Sequence, residues 1–138
     1  MWNENGFIIE INASNRGLTG ELDVSGLTEL HILNLSHNQI TKVDLSGLVI
    51  AGWVVYPGDQ WTEISSLYLD RLDLSHNQIT KVDFPEVDEL YLDRLNLSHN
   101  RLTFSTLHLP GDLIAYFDDS GLDISNQAAV PITLDLVM

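Results

Sequence analysis

The sequence predicts an α/β-type solenoid, an arc of stacked repeats with a short-stranded parallel β-sheet on the concave face and extended or 3₁₀ turns on the convex face. Three observations predict this fold. A motif of leucines and one asparagine, with the same spacing inside each copy, recurs along the chain. The segments between the motifs are too short for full α-helices, which favours extended or 3₁₀ turns. The 138 residues are 44% hydrophobic, which suits one domain with one core.

The motif reads Leu-x-x-Leu-x-Leu-x-x-Asn-x-Leu, with isoleucine accepted at the last position. Its clear copies lie at 30–40, 69–79 and 92–102. The Leu-x-Leu pair has the period of a strand, so both leucines face one side. An asparagine after the strand can pair with turn backbone through its amide, which predicts a structural ladder. The ladder consists of Asn38, Asn77 and Asn100.

These units resemble the leucine-rich-repeat family, and the resemblance covers roughly residues 7–122. A weaker copy begins at Ile8, and a degraded last copy is expected at 114–122. The residue pattern of the units is similar to that of bacterial surface repeats of the internalin kind. The start of the chain, with Trp2 and the segment 15–20, resembles the first repeat of plant-type extracellular repeat proteins. The resemblance implies a binding protein, and it leans toward an extracellular or cell-surface location.

One domain is expected, with an N-terminal cap at 1–6, repeats at 7–112 and a C-terminal cap at 113–138. Caps are needed because an open sheet edge invites pairing with another chain. The end of the chain is apolar, so self-association through the C-terminal edge is one expectation. The start of the chain lacks the basic residues and apolar run of a signal peptide, which leaves the compartment open.

The repeat is interrupted at 49–64. Asn77 and Asn100 are separated by one repeat, whereas the span from Asn38 to Asn77 is longer by the length of this segment. In one interpretation the excess is an inserted loop or β-hairpin, since Pro57-Gly58 is a turn signal. In the other, the span from Asn38 to Asn77 forms two short rungs, with apolar residues of 50–55 in the strand positions. The degenerate rung is favoured because it keeps the sheet continuous.

The interruption also carries aromatic side chains: Trp53, Tyr56 and Trp61. Tryptophans at such a place either plug the core or form an exposed patch that assists partner binding. Core plugging is favoured, and the exposed patch is the functional alternative.

The outward-facing strand residues predict the surface that binds a partner. They fall into columns, one of mixed character and one of Asn or Asp throughout. The expected set is Glu10, Asn12, Ile32, Asn34, Arg71, Asp73, Arg94, Asn96, Tyr116 and Asp118. Arg71 and Arg94 should lie on adjacent rungs. Arginine is a favoured residue in binding interfaces, so this pair is a candidate contact for the partner. The alternative is pairing within the chain, with Asp73 or Asp93, which contributes little at a surface.

Three histidines share one repeat position and are expected to stack as a ladder. They are His37, His76 and His99. A linear ladder does not supply the closed tetrahedral set that zinc prefers. We therefore expect no metal site, and no motif indicates a cofactor.

Charge and motif content narrow the functional classes. Six Lys and Arg stand against twenty Asp and Glu, for a formal net charge of −14. Such a chain lacks the basic footprint of a nucleic-acid binder. No apolar run is long enough to insert into a membrane, and no catalytic motif is present, so an enzyme is not expected.

The sequence therefore predicts a non-catalytic binding module that recognises a protein, or a glycan, through its concave face. The alternatives are a structural spacer or fragment of a larger repeat surface protein, or an engineered repeat scaffold, with no ligand of its own. The identity of the partner does not follow from the sequence, because a repeat fold is encoded in its buried residues.

Overall fold

The computed structural model describes residues 1–58, 60–103, 105–107, 109 and 121–128, and gives the backbone but not the side chain of Tyr56. Within these ranges the chain forms a parallel β-solenoid made of two facing sheets. The larger sheet occupies the predicted concave side, with strands β1, β3, β6, β8 and β9 in that order. Their bounds are β1 Glu10–Asn12, β3 Ile32–Asn34, β6 Gln60–Asp73, β8 Glu89–Asn96 and β9 Leu122–Asp123.

The opposite face of the solenoid is a second parallel sheet. Its strands are β2 Thr19–Asp23, β4 Gln39–Asp44 and β7 Lys81–Asp83. The α/β class and the 3₁₀ alternative predicted for this side are therefore wrong, while the extended alternative agrees with the structure. The return segments contain β-branched residues at alternate or nearby positions, such as Ile40 and Val43, which are buried, and such residues favour strands. No helix occurs in the described ranges, and hence none that could span a membrane.

The leucines of the motif fill the space between the two sheets. Leu33, Leu72 and Leu95 lie in register on neighbouring strands and are fully buried. Each rung contributes side chains to the same continuous core, together with residues of the second sheet such as Val43 and Val82. Burial of each rung depends on its neighbours, so the core stabilises the stack as a whole.

The asparagine ladder joins the turns of successive rungs. Asn77 donates through Nδ2 to the carbonyl oxygens of Leu35 (2.9 Å) and Leu74 (3.1 Å). Its Oδ1 accepts the backbone N–H of Ile40 at 3.0 Å. Asn38 and Asn100 make the equivalent contacts one rung away. The structural role predicted for these residues is therefore visible in their hydrogen bonds.

A glutamine takes the ladder position in the fifth rung. Gln127 donates through Nε2 to the carbonyl oxygens of Leu97 (2.8 Å) and Ile124 (3.0 Å). Its Oε1 accepts the N–H of Leu102 at 3.0 Å. The longer amide side chain thus serves the same backbone groups as the asparagines.

The interruption at 49–64 is a β-hairpin, and the favoured interpretation of a degenerate rung is wrong. Strand β5, Ile50–Tyr56, pairs antiparallel with the first half of β6 from Ile50↔Ser66 to Tyr56↔Gln60. The second half of β6 is an ordinary rung that pairs with β3 and β8. One long strand therefore serves both hairpin and solenoid, which a count along the sequence does not reveal.

Deletion of the segment 49–64 is expected to leave the solenoid folded. Val43 pairs with Val82, and Ser66 pairs with Glu89. Removing 49–64 therefore makes the connection from Val43 to Ser66 as long as the connection from Val82 to Glu89 in the next rung. The variant should keep the far-ultraviolet circular dichroism of the repeats and unfold in one cooperative transition. Loss of cooperative unfolding would show that the hairpin is part of the solenoid core rather than an insertion.

The first residues of the chain cover the outer edge of β1. The backbone N–H of Ile9 donates to the carbonyl of Met1 at 2.9 Å, and the Met1 ammonium donates to the carbonyl of Glu10 at 2.6 Å. Trp2 and Ile8 form an isolated antiparallel bridge. The N-terminal edge of the sheet is therefore partly paired. Most of the expected C-terminal cap, 113–138, lies outside the described residues.

Candidate functional site

The concave face carries the predicted columns in register. Glu10 pairs with Ile32, Ile32 with Arg71, and Arg71 with Arg94. Arg71 and Arg94 therefore lie on adjacent parallel strands, whose spacing is about 4.8 Å. In the fifth rung Leu122 pairs with Leu95, so Gly121 follows Arg94 in this column. Tyr116 and Asp118, expected on the last rung, lie outside the described residues.

The Asn and Asp column stabilises the turns that follow the strands. It runs Asn12, Asn34, Asp73, Asn96 and Asp123. Each Oδ1 accepts the backbone N–H of the serine two positions later, at 2.9–3.3 Å. In the three central rungs this serine is buried. The column thus has a local structural role in the turns.

The two concave arginines have no ion pair within the described ranges. Both side chains are exposed, and the nearby Asp70 is instead 3.7 Å from Nδ1 of His31. The two lysines of the chain differ, because both Lys42 and Lys81 pair with Asp83 on the convex sheet. Pairing of the arginines with Asp73 or Asp93, the alternative raised by the sequence, is therefore not seen.

A cleft of about 340 Å³ opens between the arginine column and the Asn and Asp column. It is lined by Arg71, Arg94, Asp73, Asn96 and Asp123, among others. Two guanidinium groups lie on one side, and carboxylate and amide groups lie on the other. The cleft can therefore receive both an anionic group and a hydrogen-bond donor of a ligand.

A stack of two tyrosines lies next to the arginines and was missed by the sequence prediction. Tyr68 and Tyr91 are paired in register, with ring centroids 4.6 Å apart and planes 5° from parallel. They are 39% and 41% exposed. The signal was the segment Leu-Tyr-Leu-Asp-Arg-Leu, which occurs at 67–72 and again at 90–95. Identical residues at one repeat position stack on neighbouring rungs.

A local bulge places the tyrosines and arginines on the same face. The backbone N–H groups of Asp70 and Arg71 both donate to the carbonyl of His31, at 2.8 and 3.1 Å. Two consecutive residues then face outward between buried Leu69 and Leu72, as at a β-bulge. We call Tyr68, Tyr91, Arg71 and Arg94 the Tyr–Arg patch.

The histidine ladder forms as predicted. The ring centroids of His37 and His76 are 4.2 Å apart, and those of His76 and His99 are 4.1 Å apart, with nearly parallel planes. All three residues have positive φ, near 55°. Asn15 and Asn126 hold the same position in the first and fifth rungs, also with positive φ. Asparagine and histidine tolerate this left-handed conformation better than most residues, so the position is set by the turn.

The stack lowers the pKa of its central member. The pKa of His76 lies below its ordinary value of 6.5, because of desolvation within the stack and then the charges of His99 and His37. The unfolded chain therefore binds this proton more readily than the folded chain. Any stability that His76 contributes is present above about pH 6.5 and is lost as the pH falls through its folded pKa.

Replacing both His37 and His99 by asparagine is expected to raise the pKa of His76 toward its ordinary value. Asparagine suits the positive φ of these positions, and it removes the two neighbouring charges that oppose protonation of His76. An NMR titration of the imidazole Hε1 signal measures the change, with His31→Asn as a control outside the stack. An unchanged His76 pKa in the double variant would show that the stack does not control it.

The hairpin tryptophans do not plug the core, so that prediction is wrong. Trp53 is 64% exposed and Trp61 is 68% exposed. The register of β6 runs without a shift from 60 to 69, so Trp61 shares the sheet face of buried Leu67 rather than that of Tyr68. The tryptophans therefore lie exposed on the side opposite the Tyr–Arg patch, and an accessory role for Trp53, Tyr56 and Trp61 in partner binding stays a prediction.

The fold and the site together define a repeat solenoid with an exposed concave sheet. A family model described as Leucine Rich repeat matches residues 27–49. A second, described as Leucine Rich Repeat, matches 68–90 and 91–113. Together these matches cover half of the chain. The protein therefore belongs to the leucine-rich-repeat family. No curated protein and no solved structure matches it. The more specific resemblance to internalin-like or plant-type repeats stays a prediction.

Proposed function

We propose that this protein is a non-catalytic module that binds a protein partner through the concave face, with the Tyr–Arg patch as the centre of the interface. Leucine-rich repeats commonly mediate protein–protein interaction, and solenoids of this kind use their concave surfaces for binding. Glycan recognition by the same face and a purely structural role stay as alternatives.

The observation that carries the proposal is that two adjacent arginines, Arg71 and Arg94, lack an ion-pair partner within the described ranges. Like charges directly opposite each other on neighbouring strands destabilise a sheet. Arg71 and Arg94 are in this arrangement, and no carboxylate of the described ranges forms an ion pair with them. An anionic group of a partner, seated between the two guanidinium groups, relieves this repulsion and forms charge-assisted hydrogen bonds.

The tyrosine stack supports the same surface. Tyrosine and arginine are enriched among residues that dominate binding energy. The stacked rings of Tyr68 and Tyr91 give a rigid apolar area at low cost in conformational entropy. The partner expected here has an apolar group that covers the rings and an acidic side chain that reaches the arginines.

The proposal is tested by partner capture with two double variants of equal charge. Arg71→Ala with Arg94→Ala removes the concave pair, and Arg16→Ala with Arg101→Ala removes two exposed arginines elsewhere. Proteins retained from source-cell extract by the wild type and the control variant should fall about tenfold with the concave variant, a change of about 1.4 kcal/mol. Equal retention by both variants would contradict the proposal.

The same variants separate binding from folding. Removing the concave pair relieves like-charge repulsion, so the free energy of unfolding should stay equal or rise slightly. Urea denaturation measures it. A concave variant that loses both stability and binding would indicate a structural role for the arginines.

A further inference from the structure

The hairpin carries an apolar face that no second layer covers within the described part of the chain. Val55 lies directly opposite Trp61, and Trp53 lies opposite Glu63. Side chains of directly opposed residues are neighbours, and diagonal ones lie within reach of large rings. Trp53, Val55 and Trp61 are all exposed. By strand alternation they lie on the side of the sheet that carries buried Leu67 and Leu69.

Strand β5 also has a free edge without the usual protection. In the part of the chain that the structure describes, it pairs with β6 alone. It includes no charged residue and no proline, and its register with β6 shows no bulge. Natural edge strands are normally protected by such features, because free N–H and C=O groups bind another strand.

The charge around this edge selects a basic partner. Residues 50–66 contain no lysine, arginine or histidine, and Glu63 adds a negative charge to the described part of this segment. Glu63 is exposed and forms no ion pair within the described ranges. Exposed indole rings attract cations through their faces. With a net charge of −14, a second copy of this chain is repelled, whereas a cationic segment is attracted.

The two faces of the hairpin differ in a way that suits an alternating sequence. The indoles and Glu63 lie on one face, whereas Val54 and Ile64 on the other face are half-buried. A Cβ added to Gly52, also on this second face, meets no atom within 4 Å. An added strand therefore finds an aromatic and acidic surface on one side and an open apolar surface on the other.

We propose that the free edge of β5 binds an extended, basic segment of a partner protein by strand addition. The backbone of the segment pairs with β5, which is an established mode of peptide recognition. Its lysine or arginine side chains lie on the face of Trp53 and Glu63, and its apolar side chains lie beside Val54. This surface is separate from the Tyr–Arg patch, so the two sites can be tested independently.

The test uses a fluorescent decapeptide that alternates valine and lysine, with fluorescence anisotropy as the readout. The wild type and Trp2→Ala, which removes an equally exposed tryptophan at the N-terminus, should bind it alike. Trp53→Ala with Trp61→Ala should weaken binding about tenfold, a change of about 1.4 kcal/mol. Single Trp53→Ala is used if the double variant unfolds. Glu63→Gln should weaken binding and reduce its salt dependence.

Two further peptides separate strand addition from simple charge attraction. A peptide with proline in place of each valine keeps the charge but lacks alternate N–H groups, and it should not bind. A valine–glutamate peptide should not bind either. Equal binding of the proline peptide, or equal binding by the tryptophan double variant, would overturn the proposal. So would a dimer in sedimentation that the tryptophan variant abolishes, because the occupant would then be a second copy.

Discussion

Replacing Asn77 by leucine is expected to lower the free energy of unfolding by about 3 kcal/mol. The neighbouring carbonyls of Leu35 and Leu74 each keep a second donor in Asn38 or Asn100. The backbone N–H of Ile40 has no second acceptor of this kind, because it donates to Asn77 Oδ1. The variant therefore leaves a buried N–H unpaired, and an orphaned buried donor costs about 1–3 kcal/mol.

Urea denaturation measures this loss, and Asn12→Ala is the matched control. Asn12 is exposed, and its side chain accepts one backbone N–H, from Ser14 at 3.3 Å. The control should change stability by no more than about 0.5 kcal/mol. If both variants lose the same small amount, the asparagine ladder does not hold the rungs together.

The second large effect is expected from Leu72→Ala, with a loss of about 3 kcal/mol. Leu72 is fully buried and lies between Leu33 and Leu95 of the neighbouring rungs. The two sheets are tied by strand pairing on both sides, so they cannot collapse into the space that is left. The lost apolar contacts and the residual cavity therefore both contribute.

Thermal and urea unfolding of Leu72→Ala should show one cooperative transition at lower stability. The control is Leu18→Ala, at a residue that is 36% exposed, where the expected loss is below about 1 kcal/mol. A loss at Leu72 as small as that at Leu18 would show that the rungs do not share one packed core.

The frame of this fold is predictable because it repeats. The leucine spacing placed the concave strands, and the asparagines following Leu35, Leu74 and Leu97 indicated the ladder. Identical spacing in each unit puts identical side chains in register, so the adjacency of Arg71 and Arg94 and the stacking of the histidines followed from the count alone.

The hairpin was not predictable in the same way, because its residues carry no repeat. The apolar run at 50–55 fits a buried rung and a hairpin strand equally well by periodicity. Only the three-dimensional structure separates the two, because there strand β5 pairs antiparallel with β6 and with no other strand of the described residues. The exposure of Trp53 and Trp61 followed from that choice, since no second sheet of the described residues lies opposite the hairpin to bury them.

The fifth rung and the tyrosine stack show two further limits. Gln127 replaces the expected asparagine, and Asp119 stands three positions before Leu122, where the motif has a leucine, so the pattern was too weak to place the rung. Tyr68 and Tyr91 lie one position before the motif. Both tyrosines therefore fell outside the predicted binding surface, although the repeated segment at 67–72 and 90–95 includes them.

The geometry explains how a small acidic repeat protein presents two different surfaces. Buried leucines and the shared amide ladder hold a rigid sheet, and rigid elements position binding groups well. The concave face offers arginine and tyrosine, and the hairpin offers tryptophan and carboxylate on the opposite side. The two surfaces therefore differ in their side chains, with arginine, tyrosine and carboxylates on the concave face and tryptophan with Glu63 on the hairpin.

Site-specific photo-crosslinking tests the proposed binding surface most directly. A benzophenone amino acid replaces Tyr68 on the concave face or Thr41, an exposed residue of the convex sheet. We predict that the partner captured by the wild type is crosslinked from position 68 and not from position 41. Crosslinking from position 41 alone would contradict recognition through the concave face.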